Sequence, residues 1–279
     1  MIDVYLLLTP ILALGVLALV RFIGCDLVFT VDPGVTLDAP GNFVARPGNH
    51  RIDLSWDPVA DSGGYRISRS DAPGPPYPTI FNVDASATTF SDSPLVNGVT
   101  QFYIIAATQH GEASFNSSPE VSATPGQGLV TSKTVGTLRN NFSGFAGMVI
   151  RVGAVPLTVV GVGRIFVPGN TGTHIVKIAD GATGVDVPGG TATIDLAAGG
   201  VNNEFVYGIL PAPITLTPNT EYLVLSQETL GGDTFFDLDT TVLTSPIASV
   251  VAAVFGDGVT PFVRGGGPGH TYGPVDVLF

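Results

Sequence analysis

Apolar and polar positions along the chain follow two different rules. Residues 4 to 20, VYLLLTPILALGVLALV, carry no charge and leave no polar face at any helical spacing. A run of that length crosses a hydrocarbon core as a helix at ~1.5 Å per residue, so a membrane-directed hydrophobic helix is expected within residues 1–25, as a signal or transmembrane segment. Beyond it the period changes to two. Arg51-Ile52-Asp53-Leu54-Ser55-Trp56 alternates and stops at Asp57-Pro58, which sets Ile52, Leu54 and Trp56 on one face of a half-buried strand. Residues 65–69 alternate again after the turn Asp61-Ser62-Gly63-Gly64, and residues 102–107 form an apolar strand.

After the turn-rich linker Pro125-Gly126-Gln127-Gly128 the strand character continues. Candidate strands are 147–152, 157–166, 174–179, 191–196, 204–209, 221–226, 234–238, 249–255 and 275–279, divided by Pro-Gly, Asp-Gly and Gly-Gly turns. No segment here has helical periodicity with caps. The expected fold class is therefore all-β, a hydrophobic amino-terminal helix followed by two β-sandwiches, one over residues 36–125 and a jelly-roll-like one over residues 128–279. The short linker predicts sandwiches that sit end to end with limited freedom.

Composition narrows what such a chain does. Its 279 residues are 12% charged and 44% hydrophobic, with a mean hydropathy of +0.40. Charge-driven disorder is excluded. A net charge of -12 leaves no basic surface to displace counterions from phosphates, so nucleic acid is not an expected partner. The only cysteine is Cys25, so no intramolecular disulfide forms and packing must supply the stability.

The first sandwich carries a specific resemblance. Pro40-Gly41-Asn42-Phe43-Val44-Ala45, Ile52 to Pro58, Gly64-Tyr65-Arg66-Ile67-Ser68-Arg69, Leu95-Val96-Asn97-Gly98-Val99-Thr100 leading to Tyr103 and Ala107, and the closing Ser122-Ala123-Thr124-Pro125 resemble a fibronectin type III domain. The resemblance implies a cell-surface spacer or interaction module and makes Trp56 a core residue. The family's corner tyrosine falls on Gln101, which implies a weaker corner. No Arg-Gly-Asp tripeptide occurs. In the second sandwich, Phe145 to Gly163, His174 to Ile178, Pro213 to Tyr222 and Tyr272-Gly273-Pro274-Val275 resemble a domain of unknown function, the DUF4082 type, found on bacterial surface proteins. Phe22-Ile23-Gly24-Cys25 resembles a bacterial lipoprotein processing box, which implies lipidation of Cys25, against an uncleaved helix with an incidental thiol.

Catalytic chemistry is sparse. His50, His110, His174 and His270 lie in no nucleophile-activating motif, Gly-x-Ser-x-Gly is absent, no His or Cys pair has zinc spacing, and Gly265-Gly266-Gly267-Pro268-Gly269 lacks the Lys-Ser/Thr of a phosphate cradle. A non-enzyme is expected. Asp233, Asp237 and Asp239, with Glu228 nearby, are the densest hard-oxygen set and candidate ligands for calcium, against a solvated strand face on which parity also places all three. Phe235 and Phe236 are adjacent, so in a regular strand one faces away from the core. That pair is the candidate ligand-binding surface, with Tyr207, Tyr222 and Tyr272 as further aromatics.

These readings converge on a non-catalytic bacterial surface protein, extracellular and anchored in the membrane through residues 4–20, whose sandwiches serve adhesion or carbohydrate or protein binding. The alternative is a structural subunit of an extracellular filament or sheath that self-assembles through the apolar helix. Low charge suits extensive subunit contact.

Overall fold

The computed structural model describes residues 18–23, 26–31, 36–109, 112–258 and 262–279. Everything described is strand, turn or irregular chain; no helix occurs among these residues, and none long and apolar enough to cross a membrane. The helix expected over residues 4–20 is not what its last three residues form. Ala18–Ile23 pairs antiparallel with Asp26–Val31, Ile23 opposite Asp26. Both stretches are rich in valine, isoleucine and phenylalanine, which favour extended backbone. Residues 4–17 and Cys25, and with them the anchor and the lipidation site, lie outside the described residues.

Residues 44–123 form a sandwich of two antiparallel sheets. One sheet orders Val44–Gly48, Arg51–Ser55 and Thr89–Asp92. The other runs Val121–Ala123, Gln101–Gln109, Gly64–Ser70 and Thr79–Asp84, with Glu112–Ser117 also on Gln101–Gln109. The period-two reading holds. Ile52, Leu54 and Trp56 all enter the core with Tyr65, Ile67, Tyr103 and Ile105, and Tyr65 meets the indole edge-on at 5.3 Å. The Gln101 side chain donates back into its own turn, to the Thr100 carbonyl at 3.2 Å. Two residues on, the buried Tyr103 donates to Asp92 Oδ2 at 2.8 Å, where Arg69 also arrives at 2.7 Å. Burial, then the Asp92 hydrogen bond, raise the Tyr103 hydroxyl far above its ordinary range, so it stays a donor.

The second sandwich faces a six-stranded sheet against a composite one. The six run Asp186–Asp195, Thr173–Asp180, Glu221–Glu228, Gly144–Val152, Ala248–Gly256, Val263–Gly265. Opposite lie Phe205–Leu216, Leu157–Ile165 and Val275–Leu278. The Gly128 to Leu278 bridge extends this layer toward Val130–Thr134, Thr240–Thr244 and His270–Thr271. The chain passes repeatedly between layers, so each strand's inward residues, Met148, Ile150, Val176, Val224, Leu157, Val162 and Val277 among them, meet in one core. The six-stranded sheet is apolar on its other face too, where Val149, Leu223, Leu225 and Val254 are buried.

The linker is pinned. Gly126 N donates to Gly48 O at 3.2 Å, and Gln127 and Phe279 exchange two backbone bonds of 2.9 Å. Arg51 of the first sandwich donates to Phe205 O of the second at 2.9 Å and reaches Glu204 at 3.4 Å. A side chain at Gly128 would stand 2.7 Å from Asp276 Oδ2 and 2.9 Å from the Tyr207 hydroxyl, so only glycine passes there.

Candidate functional site

The aromatic pair expected to offer a surface faces opposite ways but is buried on both sides. Phe235–Phe236 is a two-residue strand paired with Leu138–Arg139, Phe236 opposite Leu138 and Phe235 opposite Arg139. Phe236 enters the inter-sheet core, while Phe235 points the other way. Yet Phe235 is not exposed: both rings are buried, at 1% and 4% of their surface. The alternation was right and the exposure wrong, because the far side of this strand is itself covered.

What covers it is a hollow of about 100 Å³ lined by Arg139, Phe142, Ala146, Phe235, Phe255 and Tyr272. Directly opposite residues on paired strands share a face, and Arg139 Cζ accordingly sits 5.7 Å from the centre of the Phe235 ring. The guanidinium is oriented by two acceptors, Asn141 Oδ1 at 2.7 Å and Asp237 Oδ1 at 2.8 Å. Phe142 meets Phe255 edge-to-face at 5.9 Å, and Phe255 meets Tyr272 in the same way at 5.5 Å. Phe142, Phe255, Tyr272 and Arg139 are each half-buried, so each keeps part of its side chain in reach of solvent.

Burial first, then the negative charge of Asp237, raise the Tyr272 hydroxyl above its ordinary range against the opposing pull of Arg139. The hydroxyl is neutral at physiological pH and can both donate and accept. Chemically this is an apolar ring-lined depression with a fork-shaped cation, a carboxylate and a phenol at its edge. A wider cleft of about 470 Å³ opens between the sandwiches along Pro47, Val160, Ile209 and Phe279, but no charged side chain lines it.

The three aspartates proposed for calcium do not converge. Asp233 accepts the Thr171 and Gly172 amides at 3.1 and 2.8 Å and the His174 ring at 2.9 Å. Asp237 is committed to Arg139, and Asp239 accepts the Thr137 amide and hydroxyl, the latter at 2.7 Å. Among the described residues no group of three His, Cys, Asp or Glu side chains is arranged to hold a metal ion. The strand between them is only two residues long, so the aspartates flanking it do not share a strand face: Asp233 closes on residues 171–174, whereas Asp237 and Asp239 close on residues 137–139. Glu228, their expected neighbour, pairs with Arg164.

Of the further aromatics, Tyr207 and Tyr222 are consumed by the core and Tyr272 lines the pocket. Arg139, Phe142 and Phe255 were not anticipated. Phe142 stands two residues before the strand Gly144–Val152 and Phe255 near the end of the apolar strand Ala248–Gly256, and neither position announces the pocket without the strand register.

No known family profile matches the chain. Part of it is similar to amylopullulanases: that of Thermoanaerobacterium saccharolyticum is 39% identical over 79 residues, 27% of this chain and 6% of that protein. That of Thermoanaerobacterium thermosulfurigenes is 39% identical over 69 residues, and that of Thermoanaerobacter thermohydrosulfuricus 32% over 105. The chain thus matches only 4% to 7% of the length of these relatives. Among solved structures, a segment of two fibronectin type III domains from chicken tenascin aligns over 82% of this chain and all of its own, at 11% identity and a TM-score of 0.29. The first three fibronectin-type domains of chicken CNTN1 align over 85% of this chain and 66% of theirs, at 9% identity and a TM-score of 0.33.

Proposed function

We propose that this chain is a non-catalytic, membrane-tethered cell-surface protein that holds glycan in the pocket between Arg139 and Tyr272, with the fibronectin-like sandwich as its spacer. The arrangement that carries this reading is the juxtaposition of half-buried aromatic rings with an oriented guanidinium around one hollow. The C–H face of a sugar ring packs on phenyl rings, while neighbouring hydroxyls are bound by a charged fork and a phenol. Pinning of the linker supports a stiff spacer. Residues 4–20 would supply the anchor and the extracellular face would be the working one. Similarity to amylopullulanases makes amylose and pullulan fragments the first probes.

Calorimetric titration of the full chain with maltohexaose and with pullulan oligosaccharides tests the idea. Wild type binds, and Tyr272→Ala and Arg139→Ala each weaken binding at least about tenfold with far-ultraviolet circular dichroism unchanged. No heat with any of a broad set of glycans would sink the proposal. The filament alternative draws on the sheet edge Thr79–Asp84, where Ile80 is 55% exposed beside unpaired backbone groups. Ordered fibres in negative stain of detergent-free protein would favour it.

A further inference from the structure

His174 is nearly buried on the strand Thr173–Asp180, and both of its ring nitrogens face oxygen. Nδ1 lies 2.7 Å from the Gln227 carbonyl and Nε2 2.9 Å from Asp233 Oδ2. A carbonyl can only accept, and an ionised carboxylate can only accept, so the ring satisfies both contacts only when it carries two protons. Burial opposes ionisation of Asp233, but the hydrogen bonds from His174, Thr171 and Gly172 outweigh it and hold its carboxyl below the usual range.

The remaining charges around the ring are accounted for. Glu228 Oε2 stands 3.8 Å from Nδ1 and is itself bound by the Arg164 guanidinium through bonds of 3.1 and 2.9 Å. On the neighbouring strand Asp195 turns its carboxylate to the Ala197 amide, and on its own strand Lys177 pairs with Asp186.

Asp233 sits two residues before Phe235, the floor of the aromatic pocket. Between them Thr234 is gripped by Asn170, which donates to its carbonyl at 2.8 Å and accepts its amide at 3.0 Å, and by Arg164 at 3.2 Å. The chain entering the floor is thus held by one titratable contact and several that do not titrate near neutrality.

We propose that doubly protonated His174 is the positioning residue for the floor of this pocket, clamping the turn ahead of Phe235 so that ligand capture there strengthens as pH falls. Loss of one proton leaves Nδ1–H on the Gln227 carbonyl and turns the Nε2 lone pair toward the Asp233 carboxylate, which opens the clamp on the pocket side. The effect on ligand capture rests on the glycan reading above; the clamp itself does not.

The test is hydrogen–deuterium exchange of the full chain at about pH 5.5 and about pH 8, either side of the ordinary histidine range, corrected for intrinsic rates. Peptides covering residues 229–237 are expected to lose about tenfold in protection at the higher pH, while the strand Gly144–Val152 does not change. His174→Gln is expected to flatten that dependence. Nitrogen NMR of the wild-type ring is expected to show both nitrogens protonated at the lower pH, a readout that needs no variant. Equal protection at the two pH values, or a single protonated nitrogen at the lower one, would overturn the clamp whatever the ligand does. Binding of maltohexaose with a flat pH profile, beside pH-dependent exchange, would overturn the positioning role. PH-dependent exchange without any glycan binding would uphold the clamp and remove the glycan reading alone.

Discussion

Asp276 accepts a 2.6 Å hydrogen bond from the Tyr207 hydroxyl while fully sealed from solvent. Its other oxygen takes the Val130 amide at 2.9 Å and the Val277 amide at 2.8 Å, so one carboxyl ties the strand after the linker to the last strand of the sandwich. Burial outweighs these donors and pushes the carboxyl up to about 7 from an ordinary 3.8.

A raised carboxyl makes a signed prediction. Between its unfolded and folded values the native state keeps a proton that the unfolded chain has released, so this group's contribution to stability falls as pH rises from about 4 through about 7. Asp276→Asn removes that dependence. Urea unfolding at several pH values in this window should give the variant a less negative slope of stability against pH than wild type. Parallel slopes would show that Asp276 titrates alike in the folded and the unfolded protein.

Arg164 and Glu228 form a two-point ion pair in which each side chain is only 1% exposed, with Ser226 adding a 2.8 Å bond to the carboxylate. Removing one partner strands a buried charge, so Glu228→Leu or Arg164→Met alone should cost about 3–5 kcal/mol. The double variant buries no charge and should be more stable than either single one. Unfolding of all four proteins in one double-mutant cycle decides it, and additive losses would count against an isolated buried pair.

Arg51 is the side chain that bridges the sandwiches, and losing its charged hydrogen bond to Phe205 O should weaken their coupling by about 2 kcal/mol. Arg51→Ala is expected to separate the two unfolding transitions in calorimetry and to speed proteolysis at residues 125–128. Unchanged cleavage would mean the backbone bonds of the linker suffice by themselves.

Trp56 is buried at 4% with its indole N–H lacking a hydrogen-bond partner among the described residues. Phenylalanine there forfeits volume but no hydrogen bond, so Trp56→Phe should cost under about 2 kcal/mol, against about 3–5 kcal/mol for Trp56→Ala. Chemical denaturation compares the two, and similar losses would reveal a polar contact for the indole.

Period-two alternation is a local property, and the strands legible from it are present: Ile52, Leu54 and Trp56 face inward as their spacing dictates, and each of the nine apolar runs assigned after the linker contains a strand. Such runs need only their own residues to announce one buried face. The stretches Val130–Thr134, Leu138–Arg139 and His270–Thr271 escaped because they are short, polar and defined wholly by their partners. At the end of the amino-terminal run Ala18–Ile23 is extended against Asp26–Val31, because hydrophobicity without a period does not by itself separate strand from helix.

For the site, the adjacency of Phe235 and Phe236 alone determined that the two rings face opposite ways. Only the tertiary structure decided what lies on the far side of Phe235, because the ring is covered by Arg139, Phe255 and Tyr272 from three other segments, brought together by strand register. The same holds for the aspartates and for His174. Spacing along the chain put Asp233, Asp237 and Asp239 side by side, whereas the contacts that give each its role come from residues roughly 60 to 100 positions away, and no local pattern encodes a partner at that distance.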